Sequence, residues 1–238
     1  MTSPDSPGVH AEEPDIAFLA ALLADRTRAA FCLALLDGRA WTATQLARLA
    51  GVAPSTATGH LNRLVAGGLL TEERAGRHRH VRLADSGAAE MIEALAARAP
   101  KRLVPVRSLT AARQYRALGF ARVCYDHLGG SLAVAITDAM TERALLSWES
   151  GPALTPAGAA WLRDLGIAQD PTPHVRTCLD WTEGRSHLAG AVAAAVFHHA
   201  LRESWLVPAE GSRVVRLTPT GRAAFHHHLD VTTGVPPT

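Results

Sequence analysis

The sequence predicts a mainly α-helical protein with small β-hairpin wings: an N-terminal winged helix–turn–helix, then a duplicated C-terminal domain of helices and wings. Three features lead there. Apolar residues at helical spacing run from Ile16 to Val65 and are interrupted by a tight turn at Gly51-Val52-Ala53-Pro54. A short arginine-rich hairpin pattern follows over residues 69–83. The second half then repeats, in order, a cysteine, a His-Leu-x-Gly run and a Leu-Thr-Pro-x-Gly run.

Residues 1–14 are polar and proline-bearing and read as a disordered tail. Asp15 can cap a first helix with Ile16, Leu19, Ala20, Leu22 and Leu23 on its apolar stripe. A second helix over residues 27–37 places Ala30, Phe31, Ala34 and Leu35 on one face and stops at Gly38. Thr42 followed by Gln45 is a capping box for a third helix, with Leu46 and Leu49 inward. Pro54-Ser55 opens a fourth helix carrying Leu61, Leu64 and Val65, which ends at Gly67-Gly68. Two strands flank Ala75-Gly76-Arg77, and Asp85 or Ser86 caps a fifth helix with Met91, Ile92 and Leu95 as its stripe. The winged helix–turn–helix thus spans residues 15–98, a linker helix 99–117, and a C-terminal effector domain 118–230, with a tail at 231–238.

Of the 238 residues 47% are hydrophobic and 19% charged, and the formal net charge is only +2, which excludes a disordered chain. No apolar stretch approaches the ~18 residues of a membrane span, and no apolar signal segment precedes the first helix. A soluble cytoplasmic protein with no membrane partner is expected. Cys32, Cys124 and Cys178 are too few and too scattered for a disulfide framework. Charge is unevenly placed: residues 39–82 hold seven arginines against two acids, Glu72 and Glu73, the electrostatic footprint of a nucleic-acid contact.

A short turn between the third and fourth helices lets one brace the other in a DNA major groove. Ser55, Thr56, Thr58, His60, Asn62 and Arg63 on the fourth helix offer groups that reach base edges or phosphates. Arg74, Arg77 and Arg79 on the hairpin would lie along the adjacent backbone or minor groove. The alternative is a winged helix used for protein contacts, with a solvated arginine face.

Residues 42–70, from Thr42-Ala-Thr-Gln45 through Pro54-Ser-Thr-Ala-Thr58-Gly-His60-Leu-Asn-Arg-Leu64 to Gly68-Leu-Leu, resemble the recognition unit of the ArsR/SmtB repressors. Arg74-Ala-Gly-Arg77 and the strand after it resemble that family's wing. The resemblance covers residues 15–98 and implies a homodimeric repressor, with the first and fifth helices at the dimer interface, that releases double-stranded operator DNA when an effector binds. The family's familiar metal sites are not carried over: no cysteine lies in residues 42–49 and no histidine in residues 85–97.

In the second half, Cys124-Tyr-Asp126 recurs as Cys178-Leu-Asp180 and His127-Leu-Gly-Gly130 as His187-Leu-Ala-Gly190, each before an alanine-rich helix. Leu145-Leu146 is matched by Trp205-Leu206, and Leu154-Thr-Pro-Ala-Gly158 by Leu217-Thr-Pro-Thr-Gly221, with an echo at Leu83-Ala-Asp-Ser-Gly87. Two half-repeats, 118–167 and 173–230, are expected to pack about a pseudo-twofold that brings the Cys…His segments together. Cys124, His127, Cys178 and His187 would then supply two thiolates and two imidazoles, a set suited to zinc or another thiophilic ion, with Asp126 and Asp180 orienting the imidazoles.

The Cys124/His127 spacing is helix-compatible, while the second pair lies nine apart. Other readings of the same residues stay open: half-buried structural side chains, a thiol switch between Cys124 and Cys178 answering a thiol-reactive species, or an organic effector in a pocket lined by Tyr125, Trp181, Arg185 and Trp205. His198-His199 and His226-His227-His228 read as solvated helix ends. No phosphate loop, nucleophile elbow or zincin motif occurs, and no enzyme is expected; the residual enzymatic reading would use Cys124 and His127.

Overall fold

A computed structural model describes residues 13–75, 78–102, 109–168 and 174–232. Of the expected tails, 1–14 and 231–238, residues 1–12 and 233–238 lie outside the described residues, as do Arg77 at the hairpin tip and residues 103–108 of the linker, whereas Val231 is not tail but buried in the C-terminal core.

Local signals set the N-terminal elements. Asp15 caps α1 (Ile16–Leu23) by accepting from Phe18 N, and Asp25 caps α2 (Arg26–Leu35) by accepting from Thr27 N and Arg28 N. Arg28 is buried because its guanidinium bonds the carbonyls of Ala21 and Leu22, which the end of α1 leaves unpaired. A two-residue strand, β1 (Trp41–Thr42), leads into α3 (Ala43–Ala50), where the Thr42/Gln45 capping box forms on both sides. Gly51, at φ +70°, ends α3, and Pro54 starts α4 (Pro54–Ala66). Next come β2 (Leu70–Ala75) and β3 (His78–Leu83), paired antiparallel from Leu70↔Leu83 to Ala75↔His78, with β1 on the other side of β3. Asp85 caps α5 (Ser86–Arg98).

Phe31, Leu35, Leu46, Leu61, Leu64, Val81 and Ile92 form the core of this region, each worth about 2–5 kcal/mol against truncation to alanine. Two members come from outside residues 15–98: Leu118, on α6 (Leu109–Phe120), and Trp181. The C-terminal domain is therefore seated on the first core.

The second half is built twice. One half runs β4 (Arg122–Cys124), β5 (His127–Gly129), α7 (Ser131–Glu142), β6 (Leu146–Ser147), β7 (Ala153–Leu154) and α8 (Pro156–Asp164). The other runs β8 (Val175–Leu179), β9 (Ser186–Gly190), α9 (Ala191–Arg202), β10 (Leu206–Pro208), β11 (Val215–Leu217) and α10 (Pro219–Leu229). Each helix following the first hairpin packs on the other half's hairpin, α7 on β9 and α9 on β5.

Matching details recur in the two halves. Gly130 (φ +96°) and Gly190 (φ +82°) both precede their helices, and a Cβ on either would lie 2.6 Å from a backbone oxygen. Thr155 and Thr218 both cap the last helix of their half. The first domain shares the joint: Leu69 O accepts from Ala84 N at 3.1 Å, Leu145 O from Thr155 N at 3.1 Å and Trp205 O from Thr218 N at 3.0 Å. Helix α4 keeps one face exposed, whereas its counterparts α7 and α9 are swallowed by the C-terminal core.

Candidate DNA-reading face and metal centre

On α4, Ala57, Leu61 and Leu64 are buried, while Ser55, Thr56, Gly59, Asn62 and Arg63 share the exposed face at 3.6-residue spacing. Thr58 is exposed, but its hydroxyl already donates to Pro54 O at 2.9 Å. The N-cap, Ala53, offers no capping side chain, so the first-turn N–H groups are open to a phosphate oxygen. Arg74 is exposed on β2.

Two expected contacts are placed differently. His60 turns inward, its ring edge-on to Phe31 at 6.4 Å and its Nδ1 3.5 Å from the Asp25 carboxylate, because it follows Ala57 by three residues and precedes Leu64 by four on the apolar stripe. Arg79 is committed within the fold: it donates to Asn62 Oδ1 at 2.6 Å and pairs with Glu72, bracing the wing against α4.

The four residues of the expected metal set do converge. Cys124 faces His127 across the β4–β5 hairpin, and Cys178 faces His187 across β8–β9, each a register pair. The Cys124/His127 pair thus sits on strands and not on a helix. Its spacing of three reflects a tight turn with Tyr125 at φ +62°, whereas the spacing of nine reflects the Asp180–Arg185 loop between β8 and β9.

One ligand atom from each of the four lies within 4.8 Å of the others, and the two sulfurs are 3.8 Å apart. Two thiolates held at about 2.3 Å by one tetrahedral ion stand about 3.8 Å apart. Cys124, His127 and His187 are buried and Cys178 is half-buried.

Both imidazoles present a buried Nε2 with no hydrogen-bond partner. Their other ring nitrogens are oriented: His127 Nδ1 lies 3.1 Å from Asp126 Oδ1, and His187 Nδ1 lies 3.2 Å from Leu188 O. At His127 that is the arrangement of a metal-binding histidine, with one nitrogen fixed by an acceptor and the other free. Asp180 acts differently from Asp126. Its fully buried carboxylate accepts from Arg122 at 2.9 Å, Gly130 N at 2.7 Å and Thr182 N at 2.9 Å, and stands 3.5 Å from His187 Nε2. Burial works to raise the Asp180 pKa, but Arg122 and these hydrogen bonds outweigh it and hold the group near 2.

The hydrogen bond shared with Cys178, followed by burial, pushes the Cys124 thiol up to about 12, and the same bond lowers Cys178. Burial pulls His127 down, but the nearby Cys124 and Asp126 prevail and leave it raised. Cys32 is remote from this cluster; burial among apolar side chains lifts it to about 11, the setting of an inert thiol.

The residues expected to line an organic pocket are dispersed. Trp181 is nearly buried and donates to Glu93 Oε1 at 3.0 Å. Arg185 pairs with Asp138 at 2.8 Å on another surface. Trp205 lies in the C-terminal core against His199, Phe225 and His228, so neither His199 nor His228 is a solvated helix end. Tyr125 borders a cavity of about 240 Å³ between the domains, with Leu35, Gly38, Arg82, Glu90 and Arg213.

Sequence reasoning missed three buried or half-buried charges beside the cluster, Glu93, Arg122 and Arg213. Each reads locally as an ordinary surface charge, and its burial depends on partners 29 to 120 residues away.

Residues 23–73 match a helix-turn-helix domain family. Over 224 residues, 92% of this chain and 98% of its counterpart, the sequence is 40% identical to the uncharacterized HTH-type transcriptional regulator YdfF of Bacillus subtilis (strain 168). Among solved structures, the cadmium metal-sensor CMTR from Mycobacterium tuberculosis is 33% identical, covering 40% of this chain and 99% of its own with a TM-score of 0.31. The homodimeric winged helix-turn-helix domain of Mb0332 from Mycobacterium bovis, a possible ArsR-family regulator, is 24% identical, covering 35% of this chain and 83% of its own with a TM-score of 0.30. Among the described residues no helix is long and apolar enough to cross a membrane. The domain match and a relative aligned along nearly its whole length establish that the chain belongs to the HTH-type transcriptional regulators.

Proposed function

We propose that this regulator is a repressor whose α4 face and wing read double-stranded operator DNA, and whose C-terminal domain receives a thiophilic metal ion at Cys124, His127, Cys178 and His187. The observation that carries the metal reading is the convergence of four soft or borderline ligands on one point, with both histidine Nε2 atoms buried and without a hydrogen bond, His187 Nε2 having only the Asp180 carboxylate at 3.5 Å beside it. The chemistry favours a divalent ion such as zinc. Two thiolates and a dication form a neutral centre, whereas a monovalent ion would leave a buried negative charge. Around the cluster the remaining charges already pair, Asp180 with Arg122 and Glu93 with Arg213.

A second copy of the chain is the expected partner. Ile16 and Phe18 on α1 and Leu95 on α5 are exposed at 75%, 51% and 52%, on the two helices that the ArsR/SmtB resemblance assigns to the dimer interface.

The test starts with DNA fragments selected from a random library by the zinc-free protein. Affinity for such a fragment is expected to change at least tenfold when one equivalent of zinc is added, and not to change in Cys178→Ser. An equal effect of zinc on both proteins would refute the assignment. The 3.8 Å sulfur separation also favours a second reading, oxidation of the Cys124/Cys178 pair by a thiol-reactive species. Loss of two titratable thiols on mild peroxide treatment, with matching loss of DNA affinity in the absence of metal, would favour it.

A further inference from the structure

Glu93 belongs to α5, inside the winged helix region, yet its carboxylate is buried at 7% exposure against the C-terminal domain. Its Oε1 accepts from Trp181 Nε1 at 3.0 Å and from Arg213 Nη2 at 3.0 Å, with Arg122 Nε at 3.5 Å. Its Oε2 faces Cys124 Sγ at 3.9 Å. Arg213 extends the bridge: Nε donates to Val123 O, beside Cys124, at 3.0 Å, and Nη1 donates to Leu36 O at the end of α2 at 3.2 Å. From the other hairpin, Asp180 reaches His187 on one side and Arg122 on the other. Both hairpins of the candidate metal centre therefore meet the Glu93 carboxylate of the first domain, β4–β5 at Arg122 and Cys124 and the β8–β9 loop at Trp181.

A thiol at Cys124 presents an S–H toward Oε2. A metal-bound Cys124 cannot: as the metal–sulfur bond forms the S–H bond breaks and its proton leaves to water. A donor facing Oε2 is then replaced by an anionic acceptor, and the carboxylate gains by turning toward Arg122 and Arg213. Removing a carboxylate's partner inside a protein is costly, so such a side chain moves between discrete pairings instead of drifting. Helix α5 follows the wing strand β3 almost directly, so a shift of Glu93 acts on both.

Resting on the metal reading above, we propose that Glu93 reads the occupancy of the Cys124/His127/Cys178/His187 site and passes it to α5 and the wing, by exchanging the Cys124 thiol for a closer pairing with Arg122 and Arg213.

Hydrogen exchange of the full chain with and without one equivalent of zinc, alongside zinc counted per chain, tests this. In the wild type zinc should slow exchange in β4–β5 and β8–β9 and alter it in β3 and α5. In Glu93→Gln one zinc per chain should still bind and still protect the two hairpins, while the response of β3 and α5 falls to less than half. A full response of β3 and α5 in zinc-loaded Glu93→Gln would overturn the inference. If Glu93→Gln does not fold by circular dichroism, Arg213→Met cuts the same bridge and is read against the same two outcomes. Zinc bound to the wild type with β3 and α5 unchanged would overturn this inference alone. No zinc bound to the wild type would overturn the metal reading and this inference with it.

Discussion

The sulfur of Cys124 lies 3.8 Å from that of Cys178, although 54 residues separate them in the chain. Each cysteine sits opposite a histidine in its own hairpin, and the packing of each half-repeat's helix on the other's hairpin brings the two pairs together. Neither hairpin holds the full ligand set, so duplication itself creates the centre.

Within that centre, Asp126 should act only by orienting His127. Asp126→Asn is expected to weaken zinc about 10–100-fold while leaving the fold intact, because Asp126 is 59% exposed. A competition titration against a chelator of known affinity reads this directly. An unchanged affinity would mean that the 3.1 Å contact to His127 has no part in binding.

On α4, Arg63 and His60 should separate. Arg63→Ala is expected to reduce affinity for the selected DNA by about 1–3 kcal/mol if the contact is to a base, or to lower the salt slope by about 1 if it is to a phosphate. His60→Ala should instead lower stability, since His60 packs on Phe31 and Asp25 and leaves the exposed face to others. Fluorescence anisotropy at several salt concentrations, paired with urea unfolding, distinguishes the two. A change in salt slope for His60→Ala without loss of stability would contradict its inward placement.

The joint at Gly130 should tolerate no side chain. At φ +96° an added Cβ would meet Phe120 O at 2.6 Å and Gly119 O at 2.7 Å, and would disturb the bond from Gly130 N to Asp180. Gly130→Ala is expected to cost at least about 1–3 kcal/mol. Gly59→Ala, in a helix with open space around the new methyl group, is expected to gain about 0.5–1 kcal/mol. Urea midpoints of the two variants should move in opposite directions.

Acid should weaken the packing around Trp205. Burial holds His199 and His228 below the ordinary 6.5, at His199 against the opposing pull of Glu203 and with help from Arg202, and at His228 with help from His227 and His199. A histidine depressed in the folded state takes up its proton more readily when unfolded. Its stabilising contribution is therefore complete above about pH 6.5 and is lost as the pH falls toward the folded value. The urea midpoint, followed by tryptophan fluorescence, should drop between pH 7 and pH 5.5, and the drop should be smaller in His199→Gln/His228→Gln. Parallel slopes in the two proteins would contradict this.

The N-terminal elements were legible because each carries its own signal. Asp15, Thr42 with Gln45, and Asp85 announce helix starts, and Gly51 announces a stop. The repeat was legible too, since Thr-Pro-x-Gly states a strand-to-helix joint in a few residues. The inward turn of His60 was present in the spacing from Ala57 to Leu64 but was outvoted by its polar neighbours. Strand β1 is two residues long and has no periodicity to read. Glu93, Arg122 and Arg213 were invisible because only tertiary structure brings their partners together. Cys124 and His127 suggested a helix by spacing, whereas a two-residue turn gives the same interval across a hairpin.

X-ray absorption at the zinc edge of the zinc-loaded full chain tests the central claim most directly. The account expects two sulfurs at about 2.3 Å and two imidazole nitrogens at about 2.0–2.1 Å, with one sulfur missing in Cys178→Ser. A shell of nitrogen and oxygen alone, or a protein that retains no zinc after desalting, would contradict it.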